Sequence, residues 1–322
     1  MRAPERWSPD ELSAPDAYTR LGALRGSPCV VIDEPTDDCP LPAGLPAVVI
    51  ALVKEDMSVE AADVVVATDD DLAVIVDAVA ASPRASVVLA QLLRLQQTLS
   101  PLNALAAESF AYSTLQGGHE FAQWLAGRGA RVRKPDAARR VRVEFADGGR
   151  TALVTLDRPR LFNLYDAAMR DALVEAMSVV VADVTVSRVE LRGAGKSFCA
   201  GGDPAEFGTT HDTAHAHLIR TSANAAPLML AAARKLHAFV QGAAVGAGCE
   251  LAAFASHVTA TADATFSLPE VSMGLIPGAG GTVSVTSRIG RHRTAWMALT
   301  GARIDATTAL AWGLVDAITA AR

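Results

Sequence analysis

Aromatic side chains are scarce in this chain: nine Phe, four Trp and three Tyr make up 5% of 322 residues. A core built on ring packing is therefore excluded. Half of the residues are apolar and only 20% are charged, so a sizeable core of aliphatic and small residues is expected. An excess of positive charge is also missing. Lys and Arg number 29 against 35 Asp and Glu, a net charge of −6. That balance argues against a general nucleic-acid surface and leaves room for a local basic pocket. Only four cysteines occur, Cys29, Cys39, Cys199 and Cys249, with no metal-like pairing. They read as reduced thiols in a cytoplasmic protein. No apolar run is long enough to span a bilayer; Ala47 to Val53 is typical. Met1 to Arg6 carries no apolar run of signal length. No fixed-period repeat is visible.

The fold class expected is α/β, in two domains. Residues 1–135 read as an N-terminal mixed α/β domain and residues 140–322 as a second domain. The basic stretch Arg131 to Arg140 between them reads as a solvated connector. In the first domain, Cys29 to Ile32, Ala47 to Val53 and Asp63 to Ala67 have the apolar character of short buried strands. Helices are expected over 70–81, 86–98 and 103–126, with Ser100-Pro101 as cap and first turn, and with Gly117-Gly118 as a break or kink. Phe121, Trp124 and Leu125 share a helix face and read as packing.

The second domain opens with alternating Val141, Val143 and Phe145, a turn at Asp147-Gly148-Gly149, and a return over Thr151 to Leu156. Helix 166–180, strand Ser187 to Leu191, a helix around 213–233, strand His237 to Val240, helices 292–300 and 306–312, and a last strand at Gly313 to Asp316 follow. Strand-strand-helix units recur in this pattern.

Three frames carry chemistry. In the first, a strand runs into Gly246-Ala247-Gly248-Cys249-Glu250. The first N–H groups of a helix lack intrahelical acceptors, and the helix dipole adds partial positive charge there. Small residues let a carbonyl oxygen approach, so such a turn can hold a developing enolate oxygen. Glu250 stands about one turn inside the same helix. Close helix–strand packing would explain the glycines equally well. In the second frame, Ser197-Phe198-Cys199-Ala200-Gly201-Gly202-Asp203 offers a second small-residue turn and a second N–H. In the third, Leu268-Pro269-Glu270 precedes Gly274-Leu275-Ile276-Pro277-Gly278-Ala279-Gly280-Gly281-Thr282.

With these three frames in order, and with Leu299-Thr300-Gly301 and Gly313-Leu314-Val315-Asp316 behind them, residues from about 140 to 318 resemble the enoyl-CoA hydratase/isomerase family, also called the crotonase superfamily. The resemblance implies a spiral core of ββα units and assembly as trimers or hexamers. It implies a homo-oligomer acting on a small acyl-CoA, with no nucleic-acid or membrane partner. It implies an oxyanion hole from the backbone N–H groups of Gly202 and Ala247, and Glu250 and Glu270 as the catalytic carboxylates. Glu250 would help activate water for attack at C3 of a 2-enoyl-CoA, and Glu270 would supply the proton at C2. Ala200, Gly201, Asp203 and Gly246 would line the acyl-CoA site. No metal and no separate cofactor is implied, coenzyme A arriving with the substrate.

Two departures stand out. Family members continue with helices beyond the Gly-Leu-Val position, and the N-terminal region is expected to substitute for them. A basic residue often follows the Asp203 position; Pro204-Ala205-Glu206 stands here, so Arg158 and Arg160 read either as coenzyme contacts near the adenine end in its place or, equally, as surface residues. His211, His215 and His217 read as part of a mobile flap rather than a metal site. Arg288, Arg291, His292 and Arg293 form a second basic cluster, either a helix surface or a coenzyme phosphate contact. Other reactions of the superfamily remain alternatives: double-bond isomerisation, C–C cleavage or decarboxylation, and oxygenation of an aryl-acetyl-CoA. So does acyl-CoA binding without turnover.

Overall fold

A computed structural model describes residues 4–32, 41–53, 59–129 and 139–320. The chain divides into two compact units that alternate along the sequence. One comprises Met1–Trp124, Pro269–Ile276 and Gly290–Gly301; the other comprises Leu125–Leu268, Pro277–Ile289 and Ala302–Arg322. The connector expected over 131–140 and the domain boundary fall mostly outside the described residues, as does Cys39. Arg140 is described and is not a solvated connector residue. It is 7% exposed and pairs with Asp166 at 3.3 Å.

The first unit is built on four parallel strands in sequential order, Glu5–Arg6, Cys29–Ile32, Val48–Leu52 and Val64–Val66. The central strands are continuous apolar runs buried along almost their whole length, as a parallel sheet requires. Helix Asp69–Ala81 begins where the Thr68 hydroxyl accepts from the Asp71 N–H, with three aspartates in the first turn. Helix Pro83–Gln96 follows. The Ser100 hydroxyl caps helix Pro101–Gln116, and the expected long helix stops there. A Cβ at Gly118 would lie 2.8 Å from the Leu115 carbonyl oxygen, and a separate helix, His119–Arg128, begins after this tight corner. An ion pair is buried under the sheet edge. Arg94 Nε donates to Asp63 Oδ1 at 2.8 Å and its Nη atoms to Leu45 O and Ala47 O at 2.8 and 2.6 Å, while Asp63 Oδ2 accepts from the Val49 N–H at 2.8 Å.

The second unit holds a six-stranded sheet in the order Ala317–Thr319, His257–Thr261, Leu236–Val240, Arg188–Gly193, Thr151–Leu156, Val141–Ala146. All neighbours are parallel except the edge hairpin, where Val141 pairs with Leu156 and Ala146 with Thr151. A smaller sheet sets Ala243–Val245 parallel to Thr265–Ser267, with Ile304–Asp305 antiparallel at its edge. One pass through the large sheet is followed by a short strand of the small sheet and then a helix: Leu236–Val240, Ala243–Val245, helix Ala247–Ala253. This is the ββα pattern expected from the sequence. Two expectations are corrected. The helix around 213–233 is two helices, Thr213–Ser222 and Ala226–Ala232, because Asn224 accepts from the Ala226 N–H and starts a new one. The last strand is Ala317–Thr319 rather than 313–316, because Gly313 at φ 84° closes helix Ala306–Trp312.

Candidate active site

Within the second unit, the two small-residue turns are hydrogen-bonded to each other. The Cys199 N–H donates to Ala243 O at 3.1 Å and the Val245 N–H to Cys199 O at 3.0 Å, a parallel bridge between Cys199 and Ala244. The helix carrying Glu250 approaches so closely that a Cβ at Gly248 would lie 2.2 Å from Cys199 O. Only glycine permits that contact. The Asp203 N–H donates to Tyr165 O and the Tyr165 N–H to Gly201 O, at 3.1 and 2.8 Å. Between them the Gly202 N–H donates to no acceptor among the described residues, and neither does the Ala247 N–H at the start of helix Ala247–Ala253. The turns that carry these two amides are joined by the Cys199–Ala244 bridge, and neither amide has an acceptor among the described residues.

Asn163 fastens the same turn and was not singled out by its sequence. It sits buried at φ 55°, a conformation asparagine tolerates better than most residues. Its Nδ2 donates to Ala194 O, Ser197 O and Phe198 O at 2.9, 2.9 and 3.0 Å, and its Oδ1 accepts from the Arg158 N–H at 2.8 Å. The only sequence sign was an Asn just after a proline-initiated turn.

Glu250 is 2% exposed. Its Oε2 accepts from the Ala279 and Gly281 N–H groups, both at 2.7 Å, and the Ser284 hydroxyl donates to its backbone oxygen at 2.7 Å. Burial pushes its pKa up to about 7, against the pull of these amides. The glycine-rich run over 277–281 is thus the seat of this carboxylate. Gly246 is buried behind the helix start and Ala200 is half-buried beside the turn.

Arg158 and Asp203 are placed differently from a surface contact. Arg158 is 6% exposed and pairs with Asp166 at 2.8 Å and with Asp203 at 3.2 Å. With Arg140 on Asp166, this makes a buried chain of alternating charge, Arg140–Asp166–Arg158–Asp203. Arg160 is exposed on the short turn Pro159–Leu161. The basic cluster near 288–293 is mostly engaged with backbone. Arg288 donates to Leu314 O, Ala255 O and Asp316 in the second unit. Arg291 donates to Glu60 O and Ala62 O, and His292 contacts Ala62 O, in the first. Among the described residues no three His, Cys, Asp or Glu side chains group as a metal site.

Glu270 belongs to the first unit. It is 8% exposed and opens the short turn Glu270–Met273, with the Leu275 N–H donating to its carbonyl at 3.0 Å. A Cβ at Gly274 would lie 2.5 Å from Phe121 N and 2.7 Å from Glu120 C, so this segment is seated against the backbone of helix His119–Arg128. Glu120 in turn accepts from the Arg84 and Ala85 N–H groups at 2.8 and 3.0 Å, and Phe121 stacks on Trp124 with ring centroids 5.9 Å apart. The N-terminal region is thus packed on the segment that begins with Glu270.

The family model described as enoyl-CoA hydratase/isomerase matches residues 148–322. A probable enoyl-CoA hydratase of Rhizobium meliloti (strain 1021) is 35% identical over 178 residues, 53% of this chain and 66% of the relative. The 2,3-dehydroadipyl-CoA hydratase of Escherichia coli (strain K12) is 35% identical over 173 residues, 52% of this chain and 65% of the relative. The match thus spans just under two thirds of these curated relatives. The crystal structure of enoyl-CoA hydratase from Thermoplasma volcanium GSS1 superposes with a TM-score of 0.51 at 31% identity, covering 56% of this chain and 72% of that one. No single helix among the described residues is long and apolar enough to cross a membrane.

Proposed function

The chain belongs to the enoyl-CoA hydratase/isomerase family, and from that premise we propose that it adds water across the double bond of a 2-enoyl-CoA. The observation that carries the reading is the pair of open N–H donors at Gly202 and Ala247, joined through the Cys199–Ala244 bridge, with Glu250 one turn into the same helix. In the proposed reaction the thioester oxygen accepts from both amides, and the charge that develops on it as the enolate forms is stabilised there. Glu250 takes a proton from water as the water oxygen attacks C3. A carboxyl whose pKa is near 7 suits that task at neutral pH. Glu270 delivers the proton that C2 gains. The bonds formed are C3–O and C2–H, and no oxidant or reductant enters. Coenzyme A comes with the substrate, and the exposed Arg160 is the contact proposed for its phosphates. A trimer or a dimer of trimers in the cytoplasm is the assembly this reading carries with it.

The test is loss of the conjugated enoyl-thioester absorbance across short, medium and aryl 2-enoyl-CoAs. Wild type is expected to turn over at least one of them. Glu250→Gln and Glu270→Gln are each expected to lower kcat by about 10²- to 10⁴-fold. Migration of a double bond that survives Glu250→Gln but not Glu270→Gln would replace hydration with isomerisation. Acyl-CoA binding with no turnover of any substrate would reject both.

A further inference from the structure

The second unit contains a clamp on the turn that carries Gly202, and the clamp comes from outside the stretch matched by the family model, which begins at residue 148. Arg128, the last residue of helix His119–Arg128, donates through Nη1 to Pro204 O and through Nη2 to Phe207 O, the latter at 3.1 Å. Leu125, one turn earlier, fills the space beside Gly208, where a Cβ would lie 2.7 Å from its Cδ1. The Phe207 ring lies against Gly202, so that a Cβ there would be 3.0 Å from the ring Cζ. The rest of the turn is tied to the matched region: Asp203 to Arg158, and Glu206 Oε2 to the Ala167 N–H at 2.8 Å, which opens helix Ala167–Ala182.

We propose that Arg128, assisted by Leu125, is a positioning residue for the oxyanion donor Gly202. It acts by fixing the 204–208 turn and with it the Phe207 ring that backs the Gly202 amide. A guanidinium suits this work, because its rigid fork reaches two carbonyl oxygens at once, whereas an ammonium is a point donor. Misplacing an oxyanion donor by about an ångström is felt in the chemical step rather than in ground-state binding. This inference rests on the hydration reading for its kinetic part and stands apart from it for its structural part.

The experiment compares wild type with Arg128→Ala, Arg128→Lys and Gln123→Ala, an exposed position on the same helix. Amide hydrogen exchange over 202–208 is measured beside kcat and KM on the best 2-enoyl-CoA. Arg128→Ala is expected to raise exchange in that turn and to lower kcat about tenfold, with KM within about twofold. Guanidinium ion in the millimolar range is expected to restore part of the lost kcat. Arg128→Lys should fall between, and Gln123→Ala should match wild type. Unchanged exchange over 202–208 in Arg128→Ala would overturn the clamp, whether or not the protein proves to be a hydratase. Raised exchange with unchanged kcat, or a loss confined to KM, would overturn the positioning role. Absence of any wild-type turnover would count against the hydration reading alone, leaving the exchange result to decide the clamp.

Discussion

Gly281 has no side chain because Glu250 occupies the place of one. A Cβ at that position would lie 2.4 Å from the Glu250 Cγ and 2.7 Å from the Oε2 that the Gly281 N–H itself binds. The contact, not helix propensity, sets the residue at this helix start. Gly281→Ala is therefore expected to displace the carboxylate instead of stabilising the helix. We expect kcat to drop by about 10²-fold with KM little changed, as steady-state kinetics on the best 2-enoyl-CoA would show. Wild-type kcat in the variant would separate this contact from the chemistry.

The raised pKa of Glu250 makes a prediction about pH. A base must be deprotonated to work, so kcat/KM should rise with pH and level off above about 7, the value to which burial brings this group. A pH–rate profile with its acidic limb near the ordinary carboxylate range would contradict that assignment.

Stability should run the opposite way. The folded state holds the Glu250 proton more tightly than the unfolded chain does, because the folded pKa is about 7 against an ordinary glutamate value of 4.5. The stabilisation from this proton is complete below about pH 4.5 and is lost as pH rises through 7. Glu250→Gln carries no such dependence. The stability of wild type relative to Glu250→Gln should therefore be lower at pH 8 than at pH 5, by an amount on the order of 3 kcal/mol, and its relative Tm should fall accordingly. Parallel Tm curves for the two proteins across this range would refute it.

Asn163 offers a test without any substrate. Asn163→Asp would turn an amide that donates to three carbonyl oxygens into a group that can only repel them. Loss of about 2 kcal/mol or more is expected from the orphaned carbonyls, seen as a lower urea midpoint. Asn163→Gly, which keeps the positive φ but not the bonds, should be milder.

The Asp63–Arg94 pair anchors the first unit, with side chains 3% and 1% exposed. Arg94→Met leaves a buried carboxylate with the Val49 N–H as a remaining donor, at a cost of about 3–5 kcal/mol. Joint replacement of both residues by apolar ones should recover much of that loss. Denaturant titration of the two single variants and the double would show whether it does.

What could be read in the sequence was what depends on neighbours in the chain. The hairpin turn at Asp147-Gly148-Gly149, the Ser100 cap and the glycine-framed start of the Glu250 helix are all short-range patterns, and each is present. The buried charge chain Arg140–Asp166–Arg158–Asp203 was not readable, because it joins residues from three separate stretches of the chain with no shared periodicity. For the same reason Arg140 looked like part of a solvated run, and Arg288 and Arg291 looked available for phosphates. Leu125 was legible only as packing, and its place beside Gly208 depends on tertiary contacts alone. The last strand was misplaced by a local conflict: Gly313 serves the end of a helix, so the strand begins four residues later, at Ala317.

The alternation of the two units along the chain bears on how the protein is made. The first unit takes its final pieces from Pro269–Ile276 and Gly290–Gly301, long after the ribosome has released its opening strands. Gly274, whose missing Cβ lets the chain settle on Phe121, reaches that helix only once about 150 further residues have been synthesised. The N-terminal part therefore cannot finish folding ahead of the rest, and a nascent chain stalled before residue 269 would leave the seat at Glu120 and Phe121 uncovered.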